Sequence, residues 1–182
     1  MNPRRRLLAA ALTCGGVSPL LWAAEPWRPA PQARLRGEGE LRFWGLAVYR
    51  ARLWTEPDFD PQDYAAHPFW LELQYARAFT AESIARRSLD EMCRQGPISP
   101  AVAQAWEAAL RQVLPDVRAG DRLLGGYRPG EGAWFAQDGR MLGRVADPEF
   151  ARRFFGIWLS DSTSAPALRT ALLGQETPVP GG

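Results

Sequence analysis

The sequence predicts an α+β domain in which one large antiparallel sheet carries its helices on one face. Three observations lead to this prediction. Segments with period-two hydrophobicity occur in two groups, and a pair of segments with helical periodicity follows each group. The dipeptide Asp138-Gly139 is a strong two-residue hairpin signal between two such strands. Helices that come in pairs between antiparallel strands pack as a layer on the sheet.

The start of the chain predicts a secretory signal peptide. Arg4 to Arg6 precede an apolar stretch, and small residues end at Ala24, where we expect cleavage. Gly and Pro interrupt the apolar stretch, so we expect no stable membrane anchor. We expect the destination to be a bacterial periplasm, and the general secretory and twin-arginine routes both stay open. The 182 residues suffice for one domain, and we divide them as signal peptide 1–24, linker 25–34, domain 35–174 and disordered tail 175–182.

The first strands are predicted from the alternation of apolar and polar residues along the chain. From Leu41 to Trp54 the odd positions are mostly apolar and the even positions include arginines, which predicts one long strand. The even side still carries Trp44, Leu46 and Val48, so a ligand or a second layer should partly cover it. After a predicted loop over 56–68, residues Phe69 to Tyr75 alternate again and predict another strand.

A first pair of helices follows. Thr80 is the expected N-cap of a helix that ends at Gly96, and Cys93 falls on its apolar stripe, which predicts a buried structural thiol. The other face should carry surface ion pairs four residues apart, Arg86 with Asp90 and Arg87 with Glu91. A second amphipathic helix begins at Ser99-Pro100 and stops at Pro115.

The remaining elements are a meander and a second helix pair. Three short strands are predicted over 122–127, 133–137 and 140–145. Asp147 caps a helix that continues through Trp158, and a last helix spans 164–173 before Gly174.

Composition excludes several classes of function. All 22 basic residues are Arg, so lysine Schiff-base chemistry is excluded. Without the three leader arginines, 19 Arg face 20 acidic residues, a net charge of −1, which argues against nucleic-acid binding. The one histidine, His67, lies in an acidic loop and should be solvated. We therefore predict no metal site and no cofactor.

Three motifs in order point to a known family. Residues 37–54 hold a glycine-rich stretch followed by Val-Tyr-Arg-Ala-Arg-Leu-Trp. Residues 114–132 hold Leu-Pro-Asp-Val and later Pro-Gly-Glu-Gly, and residues 154–174 run from Phe-Phe-Gly-Ile-Trp-Leu to Leu-Leu-Gly. Together they resemble the chalcone isomerase-like family over residues 35–174, and most closely its exported bacterial branch. The resemblance implies an open-faced β-sandwich, a large antiparallel sheet with helices over one face.

The resemblance also implies what catalysis would need. In the plant enzymes a phenolate of the substrate attacks an enone within the same molecule, and an Arg, a Thr, a Tyr, an Asn and a late Ser or Thr assist it. Here the corresponding positions fall at Arg42, Trp44, Thr80, Arg87 and Arg153, and Arg42 fits only with a one-residue slip. At most one polar group of the five is kept, so we expect no chalcone cyclisation and assign no catalytic residue.

The leading hypothesis is an exported, non-catalytic domain that binds a small hydrophobic or amphipathic molecule, such as the fatty acid of some plant relatives. The predicted ligand-binding residues are Arg42, Trp44, Tyr49, Tyr75, Thr80 and Arg87. Arg42 would hold the charged end, so Arg42→Ala should lose the ligand. Two alternatives stay open. One is an intramolecular lyase or isomerase acting on another, flavonoid-like substrate, and the other is a partner-binding module with a sealed core.

Overall fold

A computed structural model describes residues 28–175, and the predicted signal peptide and nearly all of the predicted tail lie outside this range. Within it, six antiparallel strands form one sheet in which each strand pairs with the next along the chain. The strands are β1 (Arg34–Phe43), β2 (Leu46–Thr55), β3 (Phe69–Tyr75), β4 (Arg122–Arg128), β5 (Gly132–Gln137) and β6 (Arg140–Val145). The helices are α1 (Ala81–Cys93), α2 (Pro100–Val113), α3 (Pro148–Leu159) and α4 (Pro166–Leu172). The predicted α+β architecture is confirmed.

The single long strand predicted over Leu41 to Trp54 is wrong, because the chain folds back there as the β1–β2 hairpin. Trp44 and Gly45 form its turn with positive φ angles of 52° and 79°. Leu41 pairs with Tyr49 across the hairpin. Phe43 pairs with Leu46, so the two-residue turn alone would move the apolar face from odd to even positions. A register shift between Leu41 and Arg42 restores the pairing of odd with odd positions, so the period is the same in both strands and cannot show the turn. The predicted loop over 56–68 also contains a short 3-10 helix, Pro61–Ala66.

The helices form a layer on one face of the sheet. Helix α4 packs against β1, α3 against β5 and α2 against β6, whereas α1 packs mainly against α2 and α3. The contact of α4 depends on glycines in β1. A Cβ at Gly39 would come within 2.7 Å of Leu168 Cδ1, and a Cβ at Gly37 would clash with the backbone of Ala171. The glycine-rich start of the domain therefore lets a helix approach an edge strand closely.

The packed core lies between α3 and the middle of the sheet. Phe69 stacks on Tyr127 with ring centroids 4.7 Å apart, and Phe155 meets Phe69 edge-on at 5.1 Å. Phe154 of α3 likewise meets Phe135 of β5 at 5.2 Å. Phe69 and Phe155 are fully buried. These aromatic contacts hold α3 firmly on the sheet.

Helix α1 differs from its prediction on two points. Cys93 is exposed rather than buried, because it lies about 100° around the helix from the fully buried Met92. The expected pair of Arg86 with Asp90 does not form, since Arg86 Nη2 lies 3.0 Å from Glu82 Oε1 instead. Arg87 and Glu91 do pair, but the Glu91 side chain is only 7% exposed.

Candidate ligand-binding cavity

A cavity of about 490 Å³ lies between the sheet and helices α1 and α3. Its volume falls within the range of small-molecule sites, roughly 300 to 1,000 Å³. The sheet contributes Leu71, Leu73 and Phe135 to the walls, and α3 contributes Phe154, Ile157 and Trp158. The walls are therefore mainly apolar.

Helix α1 supplies the side of the cavity that is poorest in large apolar groups. Ser88 and Glu91 line the cavity from this helix and are both buried. Ile84 is the one large aliphatic side chain that α1 contributes to the lining. A serine and a carboxylate leave space that a leucine or phenylalanine would fill, so the void follows from the residues that α1 presents.

One end of the cavity reaches the surface. Phe43, Arg77 and Ser83 line it and are exposed to solvent. Phe43 is 67% exposed. By contrast, Leu71, Phe135 and Phe155 in the interior are buried. A ligand can thus enter beside Phe43 and Arg77 and extend toward α3.

Two phenols lie in the wall, Tyr75 buried and Tyr49 partly buried. Tyr49 and Tyr75 pair across β2 and β3, with ring centroids 6.0 Å apart, and both line the cavity. Tyr49 Oη accepts a hydrogen bond from Trp158 Nε1 at 2.9 Å. Burial raises the pKa of Tyr49 to about 12, and burial together with the nearby Tyr49 raises the pKa of Tyr75. Both remain protonated at neutral pH and can donate a hydrogen bond to a ligand.

The two arginines of the cavity differ in their partners. Arg87 Nη2 lies 2.5 Å from Glu91 Oε1, and the second oxygen, Oε2, lies 3.6 Å from Arg94 Nε. That oxygen has no hydrogen-bond partner among the described residues. Within residues 28–175, no carboxylate lies within salt-bridge distance of Arg77. Arg77 is thus the lining cation that is available to an anionic ligand.

The structure brings together three of the six predicted site residues, Tyr49, Tyr75 and Arg87. Arg42 lies outside the cavity, where its Nε is 2.6 Å from Glu40 Oε1 and its Nη1 donates to Gly45 O at 2.8 Å. Trp44 lies at the hairpin turn and is 87% exposed. Thr80 caps α1, accepting a hydrogen bond from the Ser83 N–H at 3.2 Å.

Sequence reasoning missed Arg77, Ser88 and Glu91 as lining residues. A signal existed for two of them, because Ile84, Ser88 and Glu91 are spaced four and three apart and share one face of a helix. The spacing of four residues instead predicts Glu91 as the surface partner of Arg87. Nothing in the sequence marks Arg77, since its value to a ligand depends on which carboxylates lie near it in space.

The positions of the family's catalytic set do not assemble here. Of the five corresponding residues, only Arg87 lines the cavity. Arg153 is held elsewhere, with Nε 2.7 Å from Glu149 Oε1 and Nη1 donating to Gly96 O at 3.0 Å. Among residues 28–175, no group of three or more His, Cys, Asp or Glu side chains could hold a metal ion. The cavity offers a ligand apolar surface, two phenols, the Arg77 guanidinium and, on α1, the Ser88 hydroxyl and the Glu91 carboxylate.

Comparisons with known proteins agree with this architecture. A family model described as chalcone isomerase-like matches residues 32–174. The chain is also similar to a crystal structure of a fatty-acid binding protein from Arabidopsis thaliana, with a TM-score of 0.60 and 11% sequence identity. The similarity covers 82% of this chain and 90% of that chain. Comparison with curated protein sequences gives no match.

Proposed function

The chain belongs to the chalcone isomerase-like family, and on this basis we propose that it is a non-catalytic protein that binds a small hydrophobic or amphipathic molecule, such as a fatty acid. The observation that carries the proposal is the cavity, with mainly apolar walls, an open mouth and a volume of about 490 Å³. The similar Arabidopsis protein is described as fatty-acid binding, which supports the same class of ligand. A sealed interior, the last of the alternatives, does not agree with a cavity of this size.

The polar groups of the cavity suggest how such a ligand would lie. Arg77 follows Tyr75 by two residues, and the intervening Ala76 N–H donates to Val48 O at 2.9 Å, so the chain continues along β2 there. Tyr49 stands opposite Tyr75 in the strand register. A carboxylate at the mouth would pair with Arg77 and accept hydrogen bonds from the phenols. The hydrocarbon chain would extend past Leu73 toward Phe154 and Ile157.

The same groups argue against catalysis at this site. An intramolecular lyase needs polar donors placed at the reacting atoms, and Arg42, Trp44, Thr80 and Arg153 all lie outside the lining. The high pKa of Tyr49 keeps it a phenol and removes it as a base at neutral pH. Arg87 is already paired with Glu91. Binding without turnover is therefore the function that this arrangement supports best.

We also propose that the protein acts in the periplasm after removal of residues 1–24. Support comes from the basic, apolar and small-residue pattern of that segment. Cell fractionation followed by intact mass measurement tests this directly. A mature chain that begins near Glu25 in the periplasmic fraction is expected, and an uncleaved chain confined to the cytoplasm would contradict export.

Native mass spectrometry tests the binding function. Protein purified from cells without added ligand should show a mass excess, and organic extraction should release a lipid or an aromatic acid. After removal of that ligand, saturated fatty acids of increasing length should bind with rising affinity, because each buried CH₂ contributes about 0.8 kcal/mol. Protein that is always empty, together with affinities that do not rise with chain length, would overturn the proposal.

A further inference from the structure

Three large apolar side chains are exposed to solvent at the tip of the β1–β2 hairpin. We define the hairpin tip as Phe43, Trp44, Gly45 and Leu46. Trp44 is 87% exposed, Phe43 67% and Leu46 56%. Phe43 pairs with Leu46 across the hairpin and contacts the Trp44 ring, so the three large side chains lie together at the turn.

The backbone of Trp44 adopts a conformation that costs free energy for a non-glycine residue. Its φ of 52° lies in the left-handed region, which is unusual for a bulky residue and which glycine adopts without strain. The indole does not stabilise the domain by burial, since its ring contact is with Phe43, which is also exposed, at a centroid distance of 6.2 Å and an interplanar angle of 67°. A strained backbone that presents an unburied aromatic ring points to a role outside the fold.

The hairpin tip adjoins the cavity mouth. Phe43 belongs both to the tip and to the cavity lining. Leu46 begins the strand in which Val48 accepts the hydrogen bond from Ala76, one residue before Arg77. Whatever contacts the tip therefore faces the entrance through which a ligand passes.

The charges near the tip favour an anionic partner. Arg50 and Arg77 are exposed and, among the described residues, have no carboxylate within salt-bridge distance. Arg42 is balanced by Glu40. Tryptophan and phenylalanine next to unpaired guanidinium groups are the combination that inserts into the interface of a bilayer with acidic headgroups.

From this geometry we propose that the hairpin tip docks on the surface of an anionic lipid bilayer and holds the cavity mouth against it. The inference rests on the proposed binding of an apolar ligand, which would then pass between bilayer and cavity without crossing water. Docking is peripheral: no helix within residues 28–175 has the length and apolarity to span a membrane.

Vesicle binding by the full chain tests the proposal. The parent protein and the variant Trp44→Gly/Leu46→Ser are mixed with phosphatidylcholine vesicles that contain or lack phosphatidylglycerol. Neither substituted side chain lines the cavity, and glycine suits the positive φ at position 44. Met141→Ser on β6, at the opposite edge of the sheet, removes another exposed apolar side chain and is the control.

We expect the double variant to bind anionic vesicles roughly tenfold or more weakly than the parent. The control should bind like the parent, and added salt should weaken parent binding. Hydrogen exchange on vesicles should slow over residues 41–48, which separates docking by the tip from any contribution of the leader.

Fatty-acid binding from solution should be equal in parent and double variant, so a failure of docking and a failure of the proposed function are distinguishable. Equal vesicle binding by parent and double variant, protection confined to other segments, or tip-dependent binding to a protein but not to vesicles would each overturn the proposal.

Discussion

Helices α3 and α1 lie in the same layer over the same sheet and both border the cavity, yet α3 also builds the core whereas α1 faces the cavity with small and polar side chains. The buried residues of α3 include Phe150, Phe154, Phe155, Trp158 and Leu159. Those of α1 are Ala85, Ser88, Glu91 and Met92. Large side chains on α3 reach the sheet and exclude space, whereas small and polar side chains on α1 do not. The position of the cavity thus depends on residue size along one helix rather than on the topology of the fold.

The largest effect should come from removing core volume on α3. Leu159→Ala should lower the free energy of unfolding by about 3 to 5 kcal/mol, because Leu159 is fully buried and a packed site collapses poorly. Ile84→Ala on α1 should cost less than about 2 kcal/mol, since one side of Ile84 already faces the cavity. Urea unfolding of both variants measures this difference. Equal losses would mean that α1 is packed as tightly as α3.

Alkaline pH should act next most strongly, through the phenols of the cavity wall. The pKa of Tyr49 is raised from 10.0 to about 12 by burial, so above pH 10 the folded state holds a proton that the unfolded state loses. The associated stability is complete below pH 10 and is lost between pH 10 and 12, roughly 2 to 3 kcal/mol for Tyr49. Tyr75 shifts in the same direction.

Unfolding free energies measured by urea titration between pH 8 and 12 check this. Tyr49→Phe should flatten the decline above pH 10. It should also cost about 1 to 3 kcal/mol at neutral pH, because Trp158 Nε1 loses its acceptor. A decline of unchanged steepness in Tyr49→Phe would show that the phenol is not the group that titrates.

Much of this fold could be predicted from the sequence, because the packed elements have clear periods. The strand from Phe69 to Tyr75 was predicted with its observed bounds, and the meander through Asp138-Gly139 has the predicted order. The hairpin at Trp44 could not be predicted from period two, because the register shift between Leu41 and Arg42 leaves odd positions paired with odd positions beyond the turn. Tryptophan also gives no turn signal, whereas glycine or asparagine at this position would have done so.

The site was less predictable, and for a different reason. Tyr49 and Tyr75 were found because they lie on the apolar faces of strands, where a cavity wall and a core look alike. In the sequence, Arg42 has an acid two residues away, Glu40, whereas Arg77 has none so close. Glu40 lies 2.6 Å from Arg42 within the same strand. The lack of an acidic partner for Arg77 among the described residues is set by tertiary contacts. A side chain such as Arg77, whose role depends on having no carboxylate near it in space, cannot be recognised from a local sequence pattern.

A smaller effect on stability, but a clear one on binding, is expected from filling the void. Ser88→Leu adds volume where α1 faces the sheet, so it should lower fatty-acid affinity roughly tenfold or more. The free energy of unfolding should change by less than about 1.5 kcal/mol, because the added group enters space rather than a packed core. Ala108→Leu on the exposed face of α2 is the matched control and should alter neither quantity. Full binding by Ser88→Leu would place the ligand elsewhere.

The most selective prediction compares the two arginines. Arg77→Gln should weaken binding of oleic acid about tenfold, since a hydrogen-bonded ion pair with the carboxylate contributes about 1.5 to 3 kcal/mol and solvent at the mouth reduces this. Binding of methyl oleate, which has the same chain without the charge, should be unchanged. Arg42→Gln should affect neither ligand, because Arg42 is paired with Glu40 outside the cavity. Titration of both ligands into all three proteins separates head-group from chain recognition. Loss of oleic acid binding in Arg42→Gln but not in Arg77→Gln would return the charged end to Arg42, and equal loss of acid and ester in Arg77→Gln would assign that arginine a structural role.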